Sequence, residues 1–346
     1  KVKIRLKINI LIKMKNKVAI IVPCYKAKGK VGDLFFSFLK IKLKLENKCD
    51  ISFFLVDDFC PESSYKEVPK SEFIKIIHNK KNLGVGASTL VGFQKAVEEN
   101  NEIFIKMDAD GQHQPEYLIE LIPYLLNLPK NELILVKGSR YQLPVKYIKT
   151  PFTRRLGSFL LEPLARMSLI YKGLTDISNG FISFNKFTLE YILSEKFKSK
   201  IESRYLFECS LLKRCSNLRA DIHQFPMNIV YGDNWRSSMR SSKMVYPLLN
   251  FWIKSLITDL FNKYLFQLNL GSFFLISSIL SFTLSTLFLY FQILPKIFSK
   301  VFVTAGNASI FSASMITSIL LISLFILYDY SKKKNVKNVF FNQFIK

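Results

Sequence analysis

Between Leu270 and Leu294 the chain carries no charged residue, and between Ser309 and Tyr328 it again carries none. As helices, the first stretch is long enough to cross a bilayer core of about 30 Å, and the second reaches roughly the minimum length. Helical hairpins of that apolarity are uncommon inside soluble domains. Two membrane spans near the C-terminal end are therefore the strongest constraint on what this chain can become. Lys332-Lys333-Lys334 follows the second span, and a basic body precedes the first. That distribution puts both flanks on the cytoplasmic side. The connecting loop, with Lys296 and Lys300, opposes this weakly.

Upstream the pattern is different. Val18–Val22 is a β-branched apolar run stopped by Pro23, and Ile51–Val56, Phe73–Ile77, Ile103–Met107 and Leu133–Val136 are further short apolar runs. Between them Leu34–Leu45, Val85–Val97 and Tyr117–Leu126 show helical spacing. Strands alternating with helices predict an α/β fold with a mostly parallel, doubly wound sheet. In such sheets ligands bind beyond the carboxyl ends of the strands. Tyr246–Leu268 then places Leu248, Leu249, Trp252, Leu256, Leu260 and Tyr264 at three-to-four spacing, among Arg236, Arg240, Lys243, Lys254 and Lys263. This is the pattern of an amphipathic helix lying on an anionic membrane surface, or of a core helix packed on the sheet. The expected organisation is a basic extension over 1–13, a catalytic-type domain over 14–240, a juxtamembrane helix over 241–268, two spans over 269–330 and a basic tail over 331–346.

Acidic residues stand where the strands end. Asp108-Ala-Asp-Gly-Gln112 closes the fourth run. Two carboxylates one residue apart can reach one hard cation, and the Gln112 amide oxygen can add a ligand. The same residues could instead form an exposed turn. Asp57-Asp58 ends the second run, where a carboxylate could grip a ribose or base, or cap the turn before Pro61. Asn82-Leu-Gly-Val-Gly-Ala87 opens a helix, and its glycines would let backbone N–H groups approach a phosphate. A plain tight turn is the alternative there. No glycine fingerprint follows the first strand, which disfavours a nucleotide-dependent oxidoreductase. The five cysteines are scattered and show no zinc spacing, as expected of reduced thiols in a cytosolic compartment. Fifty Lys+Arg against 26 Asp+Glu give a formal charge of +24. The lysines are spread throughout rather than clustered with exposed aromatics, so nucleic acid is not the expected partner.

Ile21-Val-Pro-Cys-Tyr25, Val56-Asp-Asp-Phe-Cys-Pro61, Asn82-Leu-Gly-Val-Gly86 and Lys106-Met-Asp-Ala-Asp-Gly-Gln112 occur in the order seen in glycosyltransferase family 2. Lys137-Gly-Ser-Arg140, Arg154-Arg-Leu-Gly-Ser158, Asp176-Ile-Ser-Asn-Gly-Phe181, Tyr205-Leu-Phe-Glu208 and Tyr231-Gly-Asp-Asn-Trp-Arg-Ser-Ser238 continue the series. The chain resembles the dolichol-phosphate mannose synthase-like, or polyprenyl-phosphate glycosyltransferase, branch. It departs from that branch at Phe59-Cys60-Pro61, where many relatives have Asp-Gly-Ser. A second departure is Asp233-Asn-Trp-Arg236, in place of a mannose-synthase Arg-x-x-Gly-x-Ser-Lys pattern. Neither departure points to a mannosyl donor.

The resemblance implies a GT-A (Rossmann-like) fold, a UDP- or GDP-linked sugar donor and Mg²⁺ or Mn²⁺. Asp108, Asp110 and Gln112 would hold the metal and diphosphate. Pro23, Tyr25 and Asp57 or Asp58 would line the nucleoside pocket, beside Asn82 and Gly84. Arg140, Arg154 and Ser158 would face a phosphate, and Asp176, Glu208 and Arg140 would stand near the reacting centre. Bland roles compete: a surface ion pair for Arg140, a lipid-facing pair for Arg154 and Arg155, a turn cap for Asp176, a lysine partner for Glu208. An already ionised polyprenyl phosphate acceptor needs no general base, whereas a sugar hydroxyl of a glycan would need Asp176 or Glu208. The expected protein is thus a multi-pass membrane enzyme with a cytoplasmic catalytic domain. Its partners are the nucleotide sugar, the lipid or glycan acceptor and membrane lipids, with self-association left open.

Overall fold

The structure is a computed structural model that describes residues 15–142, 152–194, 201–228 and 241–341. In chain order the elements are β1 (Asn16–Cys24), α1 (Val31–Leu45), β2 (Cys49–Asp57), β3 (Ile74–His78), α2 (Val85–Glu98), β4 (Ile103–Lys106), α3 (Leu118–Leu126), β5 (Ile134–Ser139) and α4 (Phe152–Ser168). Then follow β6 (Tyr171–Lys172), β7 (Ile182–Asn185), α5 (Lys186–Leu193), α6 (Phe207–Asn217), β8 (Asp221–Pro226), α7 (Ser241–Leu260), α8 (Leu270–Phe288), α9 (Ala305–Ser331), β9 (Lys334–Asn335) and β10 (Lys337–Asn338). Two compact units divide the chain, the first comprising residues 1–163, 173–248 and 336–346 and the second residues 164–172 and 249–335.

The first unit is built on an eight-stranded sheet in the order β10-β8-β5-β7-β4-β1-β2-β3. Every neighbouring pair is parallel except those made by β7. The expectation of a mostly parallel sheet is met. The central strands carry almost unbroken apolar runs because helices cover both faces. From β1 the chain winds one way to β2 and β3, and the other way to β4. That reversal is the topological switch point, at the carboxyl ends of β1 and β4, where sheets of this kind have their ligand crevice. The antiparallel strand β7 starts from that same edge, so the Asn179-Gly180 turn before it also reaches the crevice. The core beneath is formed by Val18, Ile20, Phe35, Phe38, Phe53, Ile105, Leu121 and Val136 among others.

The tail after the second apolar helix adds β10 to this sheet. Lys337 and Asn338 align in parallel with His223 and Gln224 of β8, and Val339 donates its N–H to the Gln224 carbonyl at 2.8 Å. Phe341 is buried against Phe225, with ring centroids 5.2 Å apart. Truncating such a ring removes its apolar burial and leaves a void. Phe341→Ala is therefore expected to lower unfolding stability by about 3 kcal/mol, measured by denaturant titration. A change below about 0.5 kcal/mol, the range of ordinary surface substitutions, would mean that the tail does not dock.

In the second unit, Leu270–Phe298 and Ala305–Ser331 are helices long and apolar enough to cross a membrane. They touch along a serine seam. Ser278 and Ser318 each donate to the other's backbone carbonyl at 3.0 Å, and Ser281 donates to the Ser314 carbonyl at 2.8 Å. Small residues allow this approach where lipid offers no hydrophobic drive between helices. At Gly271 a Cβ would lie 2.7 Å from both Tyr264 and Tyr328. The outward faces, with Phe282, Leu284, Leu320 and Leu327, are exposed.

The juxtamembrane stripe is placed differently from the sequence reading. Trp252 and Tyr264, expected on the lipid face, are buried, while Leu249, Ile253, Ile257 and Phe261 form the exposed apolar row. Leu249 belongs to the expected stripe, and Ile253, Ile257 and Phe261 extend the exposed apolar surface beside it. In the same unit, Lys333 Nζ caps the end of α4 through the carbonyls of Arg166 and Leu169, at 2.7 and 2.8 Å.

Candidate active site

The loops after β1 and β2 form one wall of the crevice. Pro23 aligns with Val56, and Cys24 with Asp57. Tyr25 then emerges with its ring exposed. Asp57 is buried, and its carboxylate accepts the Cys60 N–H at 3.2 Å and lies 3.1 Å from His78 Nδ1. Asp58 turns the other way. It accepts from Leu83 N at 2.7 Å, Gly84 N at 2.8 Å and Asn79 Nδ2 at 3.0 Å. Asp58 is therefore the staple of the Asn82–Gly84 loop.

This corrects the role expected of that loop. The Leu83 and Gly84 amides are given to Asp58, and the Ala87 amide is given to the Ser203 carbonyl at 3.0 Å. They are not available to cradle a phosphate. Asn82 spends its side chain on the Asp58 carbonyl at 3.4 Å. The glycines instead make room for a distant segment. A Cβ at Gly84, where φ is +92°, would meet Arg204 Cγ at 2.7 Å, and one at Gly86 would meet the Glu202 carbonyl at 2.7 Å and Phe207 Cβ at 2.8 Å. Close packing of residues 202–207 on α2 sets the start of α6, and with it Glu208.

Glu208 closes the centre of the site. Lys106, wholly buried at the end of β4, donates from Nζ to Glu208 Oε1 at 2.7 Å and reaches Asp108 Oδ1 at 2.8 Å. Burial alone would neutralise this lysine, but the charges of Asp108 and Glu208 and their hydrogen bonds prevail and hold its ammonium well above the usual range. The same balance acts on Asp108: burial pushes its carboxyl up, and the Lys106 ammonium outweighs that and brings it down. Gly180 is required beside them, because a Cβ there would fall 2.6 Å from Asp108 Oδ2 and 2.8 Å from Lys106 Nζ.

Asp110 behaves oppositely. Burial, and next the negative charge of Asp108, push its carboxyl above the ordinary value. Its Oδ1 accepts the Gln112 N–H at 3.1 Å. Gln112 and His113 are both buried. His113 Nδ1 accepts the Asp108 N–H at 3.2 Å, which fixes a neutral imidazole with its proton on Nε2. Burial lowers its basicity further. Two carboxylates that disfavour each other's charge form the donor set a divalent cation relieves. Among the described residues, no three His, Cys, Asp or Glu side chains form a ready metal cage.

Asp176 is corrected as well. It sits in left-handed backbone, φ +53°, with its carboxylate fully buried. It accepts from Arg140 N at 2.9 Å, Arg140 Nε at 2.8 Å and Asn179 Nδ2 at 2.9 Å, and a further guanidinium N–H reaches Oδ1. Burial would raise this carboxyl, but Arg140 overrides it and holds it far below the usual carboxylate range. A carboxylate so saturated cannot take a proton from a substrate. Arg140, in turn, is a buried partner of Asp176 rather than a surface cation, although its charge is felt at His113. Lys137 Nζ ties the same turn through the carbonyls of Asp176 at 2.6 Å and Thr175 at 3.0 Å.

Arg154 and Ser158 fall on α4, but their side chains lie outside the described residues, as do residues 1–13 and the Tyr231–Ser238 segment with Arg236 and Arg240. Lys106 and His113 are the participants that motif reading gave no role. The signal for the first was a lysine inside an apolar strand, directly before the acidic pair. The structure brings Asp108, Asp110, Gln112 and Glu208 together around β4. Pro23, Tyr25 and Asp57 lie on the neighbouring strand ends.

The family model for glycosyl transferase family 2 matches residues 19–192. A UDP-N-acetylglucosamine–dolichyl-phosphate N-acetylglucosaminyltransferase from Methanococcus voltae is 25% identical over 230 residues, covering 62% of this chain and 86% of that protein. An undecaprenyl-phosphate mannosyltransferase from Micrococcus luteus is 28% identical over 191 residues, 54% of this chain and 74% of the relative. The chain spans only 47% of the length of a similar dolichol-phosphate mannosyltransferase from Pyrococcus furiosus, at 28% identity over 50% of this chain. Among solved structures, mannosyl-3-phosphoglycerate synthase from Rubrobacter xylanophilus superposes with a TM-score of 0.50 at 14% identity, over 72% of this chain and 75% of that one. This last likeness concerns the fold alone.

Proposed function

From the premise that the chain belongs to glycosyl transferase family 2, we propose that it transfers a sugar from a nucleoside-diphosphate donor to a polyprenyl phosphate. The observation that carries the choice of acceptor is the state of the two carboxylates that could act as bases. Asp176 is saturated by Arg140 and Asn179, and Glu208 is engaged by the Lys106 ammonium. A sugar hydroxyl would need one of them to remove its proton, whereas a phosphate monoester is already ionised at neutral pH. The curated relatives with dolichyl or undecaprenyl phosphate in their names support the same reading.

The donor's base and ribose lie at the ends of β1 and β2, against Pro23, Tyr25 and Asp57, and the diphosphate runs toward β4. A divalent cation, Mg²⁺ or Mn²⁺, held by Asp108 and Asp110 with Gln112 beside them, would neutralise charge on the departing diphosphate. Lys106 keeps Asp108 ionised and oriented by its bond to Oδ1. Glu208 fixes Lys106 from the other side, and His113 holds the Asp108 backbone. By the family resemblance, Arg154 and Ser158 would face the acceptor phosphate or the donor diphosphate. The two apolar helices anchor the enzyme, and the exposed Leu249–Phe261 row lies in the interface. Two crossings would return the chain to the side it left. The basic flanks make that side the cytoplasm.

Purified enzyme in detergent, supplied with UDP- or GDP-sugars, Mg²⁺ and undecaprenyl phosphate, is expected to place labelled sugar in the organic-extractable fraction. Transfer to soluble sugar hydroxyls with none to the lipid phosphate would refute the acceptor assignment.

A further inference from the structure

The loops beyond β1 and β2 are laced to one another. Asp58 N donates to the Cys24 carbonyl at 3.0 Å, and Lys26 N donates to Cys60 Sγ at 3.1 Å. Ala27 N donates to Ser64 Oγ at 3.2 Å. Between the first two ties stand Tyr25 on one loop and Phe59 on the other. Their side chains are left out in the open, at 45% and 62% exposure.

Phe59 is the anomaly. Its φ is +55°, a left-handed conformation that strains a residue bearing a Cβ and that glycine adopts freely. An aromatic ring normally offsets such a cost by packing, and this ring is mostly in solvent. Strain held without a packing gain points to use of the ring rather than to the fold. The ring stands at the end of β2, one strand from the switch point, where the donor's base enters.

We propose that Phe59 completes, with the Tyr25 already assigned to the nucleoside pocket, an aromatic ledge on which the flat base of the nucleoside-diphosphate donor stacks. The proposal rests on the donor reading above and adds a binding residue at the base. Stacking of a base on an aromatic side chain is worth roughly a tenfold to hundredfold change in affinity. It draws on π-face contact and so adds affinity whichever base is present, while Asp57 and its neighbours remain as polar contacts.

The test is calorimetric titration of the full-length enzyme in detergent with UDP, GDP and inorganic pyrophosphate, each with Mg²⁺. For Phe59→Gly, the better-bound nucleoside diphosphate should weaken at least tenfold while pyrophosphate affinity stays unchanged. The melting temperature should hold or rise, because glycine relieves the left-handed strain. Phe59→Tyr should retain binding, and Phe59→Leu should lose it as glycine does. In turnover, Phe59→Gly should raise donor KM and leave kcat unchanged. Unaltered nucleoside-diphosphate affinity in Phe59→Gly would overturn the proposal. So would an equal loss of pyrophosphate affinity, which would mean that the loop as a whole had collapsed. Failure of wild-type enzyme to bind either nucleoside diphosphate would instead strike the donor reading, and the ledge with it.

Discussion

Asp110→Asn is expected to reduce sugar transfer by about a hundredfold to a thousandfold while the protein melts no lower than wild type. The two halves of that result have separate causes. Removing one charge from the pair weakens the hold on a cation that must meet the developing negative charge of the leaving diphosphate. The folded protein loses nothing, because burial and Asp108 already disfavour a charge at Asp110, and an amide stands there at no electrostatic cost. Asp108→Asn should lose activity similarly but melt lower, since Asp108 is a partner of the buried Lys106. The check is initial-rate assay of both variants beside thermal denaturation. Turnover of Asp110→Asn near that of wild type would remove the metal role from the acidic pair.

Arg140→Ala is expected to produce the largest loss of stability, about 3–5 kcal/mol. The missing contact matters less than the charge it leaves behind. Asp176 would remain buried with its main counter-ion gone, kept only by Lys137 and two neutral donors. Pairing Arg140→Leu with Asp176→Asn should recover a good part of the loss, because the stranded charge goes too. The pH dependence follows from the same pair. The folded-state carboxyl of Asp176 is depressed below its ordinary 3.8, so its contribution is complete above that value and drains away as pH falls toward the depressed one. Wild type should therefore lose stability on acidification below about pH 4, and Asp176→Asn should be less sensitive over the same window. Denaturant midpoints measured from pH 2 to pH 7 decide the point. An Arg140→Ala variant within about 1 kcal/mol of wild type would show that the pair is solvated and not a strut.

Much of the fold could be read from local pattern because its parallel strands are buried on both faces. Val18–Val22, Ile51–Val56 and Ile103–Met107 stand out as apolar runs for that reason, and each lies within or overlaps an observed strand. β7 escaped because Ile182-Ser-Phe-Asn185 is four residues of mixed polarity, paired antiparallel between strands far away in sequence. β10 escaped because Lys337 and Asn338 have no strand character of their own and gain it only from the edge of β8. On α7 the apolar spacing suited a surface-lying helix or a core helix, and only tertiary packing could decide which residues faced inward.

Within the site, the acidic pair was legible because only Ala109 separates its members. The Lys106–Glu208 bond joins residues 102 apart, and no local spacing announces it. The same holds for Asp58, whose purpose is set by amides 25 and 26 residues downstream. Two carboxylates side by side after β2 therefore looked equivalent in sequence. In space one faces the crevice edge and the other is consumed by a loop.

Mn²⁺ titration followed by electron paramagnetic resonance, with and without nucleoside diphosphate, addresses the metal-and-diphosphate grip itself. With the nucleotide present, wild type should bind one Mn²⁺ that is absent from the Asp108→Asn/Asp110→Asn variant, and without nucleotide the bound fraction should fall sharply. Equal Mn²⁺ occupancy in wild type and the double variant would contradict the account.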